Sequence, residues 1–211
     1  MKKGLKLIFL VVTVLCMIFL VSCKQQFTDE EIISAAAELV TEAEEINDIF
    51  FGSGIPYSSE GEGAYKVADK EWLAEKGIEN TQSLREMTSK VYSEGYSEYL
   101  FSIMLASVRT DISVASYASY IDTEEGLLVY SQRTNYIKGK LTYHIDKIEV
   151  VEKNGEYARV SVAVTVENLD GETQERIKSF DMVKSGERWF LDSGTFLTYN
   201  KNGEDSSKTS E

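Results

Sequence analysis

Residues 141–166, LTYHIDKIEVVEKNGEYARVSVAVTV, decide the fold of this chain. Asn154-Gly155 divides them into two long runs in which apolar and polar residues alternate, and this dipeptide favours the tight turn of a β-hairpin. We therefore expect antiparallel strands over residues 141–151 and 157–166. In the second strand one face is entirely apolar and consists of Ala158, Val160, Val162, Val164 and Val166. Such a face predicts a sheet that is buried on one side.

The alternation in the first strand is interrupted. Ile145 and Ile148 are three residues apart, so they cannot face the same side of a regular strand. An extra residue in one strand of a pair, a β-bulge, restores the phase and bends the sheet. We expect a bulge between these two residues and, with it, a curved sheet.

Turn residues continue this meander on both sides of the hairpin. Asp170-Gly171 and Ser185-Gly186 are dipeptides that mark turns, and the segment 122–126 separates two further apolar runs. The pattern predicts about five to six meandering antiparallel strands, over residues 117–121, 127–131, 141–151, 157–166, 173–184 and 188–192.

The chain before residue 107 carries helical signals instead. Thr28 and Glu31 form a Thr-x-x-Glu capping box, and apolar residues then recur every three or four positions up to Phe50, with Gly52 as the expected end. Shorter helices are expected over residues 69–76, 81–91 and 93–106. In the last of these, the residues expected to face inward are Tyr96, Leu100, Ile103 and Met104.

Helices followed by a meander of strands are typical of the α+β class. We therefore expect a single α+β domain over residues 28–198, with N-terminal helices over 28–106 packed on a curved antiparallel sheet over 115–195. The remaining residues, 199–211, are polar and are expected to be disordered.

The first 22 residues have the composition of an export signal. A start with three lysines precedes an apolar run over residues 7–21, which is shorter than the roughly 20 apolar residues that span a bilayer. Leu20-Val21-Ser22-Cys23 at its end is similar to the lipobox of bacterial lipoproteins. The resemblance implies cleavage before Cys23, a lipid on Cys23, a short tether over residues 23–27, and a location on the outer face of a bacterial membrane. The alternative is an ordinary export signal or membrane anchor with a chance cysteine.

Cleavage at this point changes the charge of the chain. It removes three lysines and no acidic residue, so the formal net charge goes from −13 to −16. Such an acidic surface disfavours binding of nucleic acid and would attract a basic extracellular protein, such as a cell-wall hydrolase. The alternative is that the acidity simply keeps an exported domain soluble. With Cys16 removed and Cys23 carrying lipid, no cysteine remains for a disulfide, a metal site or a nucleophile.

The sequence offers little for catalysis. His144 is the only histidine, so a histidine metal site or a Ser-His-Asp triad would have to be built on it alone. The chain contains no Gly-rich phosphate loop, no Cys-x-x-Cys pair and no nucleophile elbow. We therefore expect no catalytic residue, no cofactor, no metal and a non-enzymatic function.

Aromatic residues are concentrated in the half of the chain that is predicted to form strands. On a curved sheet they could line a pocket or a face that recognises a partner, with Arg133 as its charged anchor. The plainer interpretation is that they fill the core, because aromatic residues are favoured in strands. The candidate residues are Tyr117, Tyr120, Tyr130, Arg133, Tyr136, Tyr143 and Trp189.

Several short motifs between residues 65 and 197 follow the order of landmarks in a known family. They are Tyr65-Lys66-Val67, Thr81-x-x-Leu84, Val91-Tyr92-Ser93, Gly126-Leu127-Leu128-Val129-Tyr130, Asp170-Gly171 and Gly186-Glu187-Arg188-Trp189-Phe190. In this order they resemble bacterial inhibitors of cell-wall DL-endopeptidases. The resemblance implies a non-enzymatic protein that blocks peptidoglycan hydrolases outside the cell, and it identifies no inhibitory residue.

Three functions therefore stay open. The first is a cell-surface binding or regulatory module, with hydrolase inhibition as its most specific form. The second comes from the order of helices and curved sheet, which also resembles the nuclear-transport-factor-like cone fold, whose mouth often holds a small ligand or an active site. The third is a scaffold subunit of a larger envelope complex.

Overall fold

The computed structural model describes residues 27–61, 63–109, 114–137, 139–168 and 170–197. The predicted export signal, the lipid attachment residue Cys23 and the tail predicted to be disordered lie outside these residues. Within them, no helix has the length and apolar character needed to cross a membrane.

Four helices lie where the sequence predicts them. They are α1 (Asp29–Phe51), α2 (Lys70–Lys76), α3 (Thr81–Val91) and α4 (Glu94–Met104). The predicted capping box at the start of α1 is confirmed, because the Glu31 N–H donates to Thr28 Oγ1 at 3.2 Å and the Thr28 N–H donates to Glu31 Oε2 at 2.9 Å. These two bonds satisfy backbone donors that a helix start otherwise leaves without partners.

Nine strands complete the described part of the chain. They are β1 (Tyr65–Val67), β2 (Val108–Arg109), β3 (Val114–Ser116), β4 (Tyr120–Thr123), β5 (Gly126–Tyr130), β6 (Lys140–Asn154), β7 (Tyr157–Glu167), β8 (Thr173–Ser185) and β9 (Arg188–Leu191). All are paired antiparallel, in the orders β6-β7-β8-β9, β1-β5-β4 and β2-β3. The α+β class is confirmed.

The strands are divided among separate sheets and do not form one sheet of five or six. The reason is that β5 is paired on both edges, with β1 and β4, so it has no free edge for β6, the next strand along the chain. The hairpin β4–β5 is also tighter than expected. Thr123 lies opposite Gly126, which leaves only Glu124 and Glu125 in the turn, and Gly126 accommodates this with a φ of +122°.

The bulge predicted in the first long strand is confirmed. On β6, His144 lies opposite Ala163 of β7, whereas Glu149 lies opposite Ser161, so four residues of β6 face one residue of β7. As a result Ile148 is buried while Ile145 is exposed. A register shift of this kind bends the strand that carries it.

The main core lies between α1 and the inner face of the four-stranded sheet. The alternate residues of β7 that were predicted to be buried, from Ala158 to Val166, are all 2 % exposed or less. Helix α1 packs on this face, mainly against β6, and contributes Ile32, Ala36, Leu39, Val40, Ala43 and Ile46. The inner face of the sheet, where a cone-shaped fold would hold a ligand, is therefore covered by α1.

Candidate functional site

A cavity of about 540 Å³ opens at the C-terminal end of α1, between helix α4 and the segment that follows β5. Its volume lies within the range of about 300–1,000 Å³ that is typical of small-molecule sites. Half of its described lining residues carry aromatic rings: Phe51, Tyr99, Tyr117, Tyr130, Tyr136 and Phe196. The fold thus gathers aromatic rings from five separate parts of the chain around one opening.

Four of these rings form two stacked pairs. Tyr117 lies on Tyr130 with ring centres 4.9 Å apart and planes 22° apart, and Phe51 lies on Phe196 at 4.0 Å and 23°. Tyr136 meets Phe51 edge to face at 6.3 Å. Offset stacking and edge-to-face contacts are the favoured geometries of aromatic rings, so the walls are ordered by their own packing.

Three of the tyrosines nevertheless keep much of their surface in solvent. Tyr99 is 54 % exposed, Tyr117 49 % and Tyr136 47 %. Large apolar side chains that remain exposed next to one another often mark a surface of recognition. The cavity is therefore an aromatic surface open to a ligand and not a sealed defect of the core.

Arg133 is fixed to the end of α1 by two hydrogen bonds. Its Nη1 donates to the Phe50 carbonyl at 3.2 Å and its Nη2 donates to the Gly52 carbonyl at 2.5 Å. The last carbonyls of a helix have no partner within it and carry partial negative charge, so a guanidinium there is stabilising. Arg133 is the only charged residue among the described residues that line the cavity.

Backbone groups close to Arg133 in the chain also bind the C-terminal end of α1. The N–H groups of Tyr136 and Ile137 both donate to the Phe51 carbonyl, at 2.7 and 2.9 Å. Gly54 has a φ of +77°, and a Cβ atom on it would lie 2.0 Å from the Nη2 of Arg133. A glycine is therefore needed both for the backbone conformation and for the position of the guanidinium.

Tyr120 lies beneath the cavity and belongs to the core. Its ring is fully buried and lies 6.0 Å from the guanidinium carbon of Arg133. Its hydroxyl donates to the Ile49 carbonyl and accepts the Ile55 N–H at 3.4 Å. Burial raises the pKa of this phenol, so the group is a neutral hydrogen-bonding support and not an ionisable site.

Tyr143 belongs to a polar network that includes Asn47 of α1. Its hydroxyl donates to the Thr195 carbonyl at 3.3 Å. The Asn47 side chain joins this network, because its Nδ2 donates to Thr195 Oγ1 at 2.9 Å and its Oδ1 accepts the Tyr92 hydroxyl at 2.8 Å. Burial raises the pKa of both Tyr92 and Tyr143, which keeps these hydroxyls protonated as donors.

Trp189 lies at the opposite end of the molecule from the cavity. Its ring meets the ring of Phe27 edge to face, with centres 5.3 Å apart, and the ammonium of Lys184 lies 3.9 Å from the centre of the Phe27 ring. Of the seven candidate residues, the structure thus brings Tyr117, Tyr130, Arg133 and Tyr136 together around one cavity. It places Tyr120 and Trp189 in the core and packs the partly buried Tyr143 against that core.

The cavity also contains residues that the sequence analysis missed. Ile103 was expected to face inward with Leu100 and Met104, but it is 36 % exposed and lines the cavity with Tyr99. The spacing of four between Tyr99 and Ile103 was a usable signal, because it defines a second apolar stripe on α4. Phe51 and Phe196 had no such signal, since 145 positions separate them in the chain.

Other chemical groups among the described residues form no comparable site. His144 lies on the outer face of the sheet, where its Nε2 is 2.7 Å from Thr165 Oγ1. The described residues contain no group of three or more histidine, cysteine, aspartate or glutamate side chains that would hold a metal ion. Two further cavities, of about 450 and 260 Å³, lie beside α2 and between α4 and β8, and neither carries more than one aromatic ring.

Comparison of the chain with protein-family models, with curated proteins and with solved structures finds no match. The resemblance to inhibitors of cell-wall endopeptidases therefore stays a prediction, as does the lipobox at Cys23.

Proposed function

We propose that this chain is a non-catalytic binding protein, tethered by a lipid on Cys23 to the outer face of a bacterial membrane, which holds its ligand in the aromatic cavity. The observation that carries the proposal is the cavity itself, in which half-exposed tyrosine rings surround an arginine bound to the end of α1.

The chemistry of the lining supports binding over catalysis. A general acid or base must reach its substrate and exchange a proton near the working pH. The single charged group in the described lining is a guanidinium that is held by two backbone carbonyls, and arginine does not lose its proton in proteins. The remaining polar groups are hydroxyls and one amide, which suit recognition.

The position of the cavity suits a tethered protein. The first described residue is Phe27, whose carbonyl accepts a hydrogen bond from the Lys153 ammonium at 3.0 Å. Four residue steps from Cys23 to Phe27 span at most about 14 Å. Helix α1 has 23 residues and is about 34 Å long, so the cavity lies about that distance from the tethered end of the helix.

The proposal is tested by sedimentation of the protein with purified, protein-free cell-wall material. Tyr117→Ala combined with Tyr136→Ala should abolish co-sedimentation. Tyr57→Ala is the matched control, because Tyr57 is 47 % exposed like Tyr136 but does not line the cavity. Co-sedimentation that is unaffected by the double substitution, or absent in the unmodified chain, contradicts the proposal. The tether is tested separately, since Cys23→Ser should release the protein from the membrane fraction.

Inhibition of a peptidoglycan hydrolase is a second candidate. It is favoured by the net charge of −13, or −16 after cleavage, because an acidic surface is complementary to a basic catalytic domain. Adding the protein to such an enzyme should lower its activity, and the inhibition should weaken as salt is raised. Inhibition that persists in the double tyrosine variant would place the inhibitory surface outside the cavity.

A further inference from the structure

We infer that the aromatic cavity binds an uncharged sugar ring of a glycan, stacked on the exposed face of Tyr117. The inference rests on the proposed function and names the ligand class of the same site.

Charge in the cavity selects against ionic ligands. Aromatic faces attract cations, but Arg133 is the only charged residue in the described lining and its guanidinium repels them. Two of the five guanidinium N–H groups already donate to the Phe50 and Gly52 carbonyls, and an anion would also approach a chain with a formal charge of −13. A neutral ligand meets neither obstacle.

The aromatic faces select a ligand with a flat apolar side. Tyr117 is supported from behind by Tyr130 at 4.9 Å and leaves 49 % of its surface exposed. The face of an aromatic ring carries partial negative charge. One side of a pyranose ring presents several C–H groups with slight positive charge, so it stacks on such a face without any formal charge on either partner.

The polar groups in the lining suit the hydroxyl edges of the same ring. Gln132 and Thr134 line the cavity next to the phenols, and an amide or a hydroxyl can both donate and accept hydrogen bonds. The Tyr130 hydroxyl donates to Gln132 Oε1 at 3.3 Å, which holds the amide beside the stacking surface. Sugar hydroxyls also donate and accept at once, so neutral groups of both kinds are the matching partners.

The test is isothermal titration of the full chain with a panel of defined probes. An uncharged tetrasaccharide of N-acetylglucosamine represents glycans, and tetramethylammonium, benzoate and a short zwitterionic peptide represent cations, aromatic anions and peptides. The tetrasaccharide should bind, and Tyr117→Ala should weaken it at least tenfold. Tyr57→Ala should leave the affinity within twofold of the unmodified chain. Each variant is first checked for an unfolding midpoint close to that of the unmodified chain, and Gln132→Ala gives a second variant of the same wall.

The outcomes distinguish an error in the ligand class from an error in the proposed binding function. Binding of another probe that is lost in Tyr117→Ala overturns the sugar assignment and leaves the cavity as a binding site. Tetrasaccharide binding that survives both Tyr117→Ala and Gln132→Ala also overturns the assignment. If no probe binds and the chain does not sediment with cell-wall material, both the assignment and the proposed function are overturned.

Discussion

Two groups of tyrosines near α1 have the same chemistry and opposite surroundings. Tyr92, Tyr120 and Tyr143 are buried or nearly so, and each donates its hydroxyl to an acceptor within the protein. Tyr117 and Tyr136 expose about half of their surface around the cavity. A buried tyrosine needs a partner for its hydroxyl, whereas an exposed one offers its ring to a ligand. The comparison therefore separates residues that stabilise the fold from residues available for binding.

The largest expected effect contrasts Tyr120 with Tyr117. Tyr120→Ala empties a fully buried position and should lower the free energy of unfolding by about 3–5 kcal/mol. Tyr117→Ala, at a position 49 % exposed, should lower it by less than about 1 kcal/mol. Urea denaturation of both variants measures the difference, and equal losses would remove the distinction between the two groups.

The buried network around Asn47 should also be sensitive. Asn47→Leu keeps the branching at Cγ but leaves the Tyr92 hydroxyl without its acceptor and Thr195 without its donor, at an expected cost of about 2–3 kcal/mol. Adding Tyr92→Phe removes one of the unpaired groups, so the double variant should be more stable than the sum of the single effects implies. Strict additivity in a double-mutant cycle would show that the network is not coupled.

Alanine substitutions at two glycines test how strongly the hydrogen bonds of Arg133 stabilise the end of α1. Gly54 and Gly77 both have positive φ, at +77° and +65°, but only a Cβ on Gly54 would meet the Arg133 guanidinium. Each alanine substitution should cost about 1–2 kcal/mol for the left-handed backbone. Gly54→Ala should cost about 1.5 kcal/mol more, because it also disrupts charged hydrogen bonds. Equal losses of unfolding free energy would mean that the guanidinium moves aside freely.

The smallest effect concerns Asp181, which accepts hydrogen bonds from Tyr157 and Arg159. Burial alone raises the pKa of Asp181, but hydrogen bonds from Arg159 and Tyr157, both at 2.8 Å, outweigh it and lower that pKa. The stability that these bonds add is present above the unfolded pKa, about 4, and is lost as the pH falls through the lower folded pKa. Asp181→Asn should reduce the loss of unfolding free energy on acidification by less than about 1 kcal/mol. The effect is small because the ion pair of Arg159 and Asp181 is partly exposed. Identical acid slopes in unfolding experiments from pH 7 to 2 would contradict this.

Helix caps, turns and strands that are decided by residues close together in the chain were predictable from the sequence. The capping box at Thr28, the Asn154-Gly155 turn and the alternation of β7 all involve neighbours within a few positions, so local chemistry decides them. Strand β1 was not predicted, because three residues are too few to establish a period, and it forms only by pairing with β5.

The candidate site was predictable in part. Clustering of aromatic residues identified three rings of the cavity, with Arg133 as their charged neighbour, but it did not separate these rings from Tyr120. That separation depends on the register of the sheet β1-β5-β4. Tyr120 lies opposite Val129 on the buried side of this sheet. Tyr130 lies opposite Tyr65 and points to the other side. A shift of one residue in the pairing would exchange these sides, and the sequence pattern of this short hairpin does not define its register that closely.

The central claim, that exposed tyrosines bind while buried ones stabilise, is tested most directly by one paired measurement on Tyr117→Ala. Its dissociation constant for the N-acetylglucosamine tetrasaccharide is determined together with its urea unfolding midpoint. We predict an affinity at least tenfold weaker and a midpoint close to that of the unmodified chain. An unchanged affinity, or an affinity lost only together with the folded state, would contradict the claim.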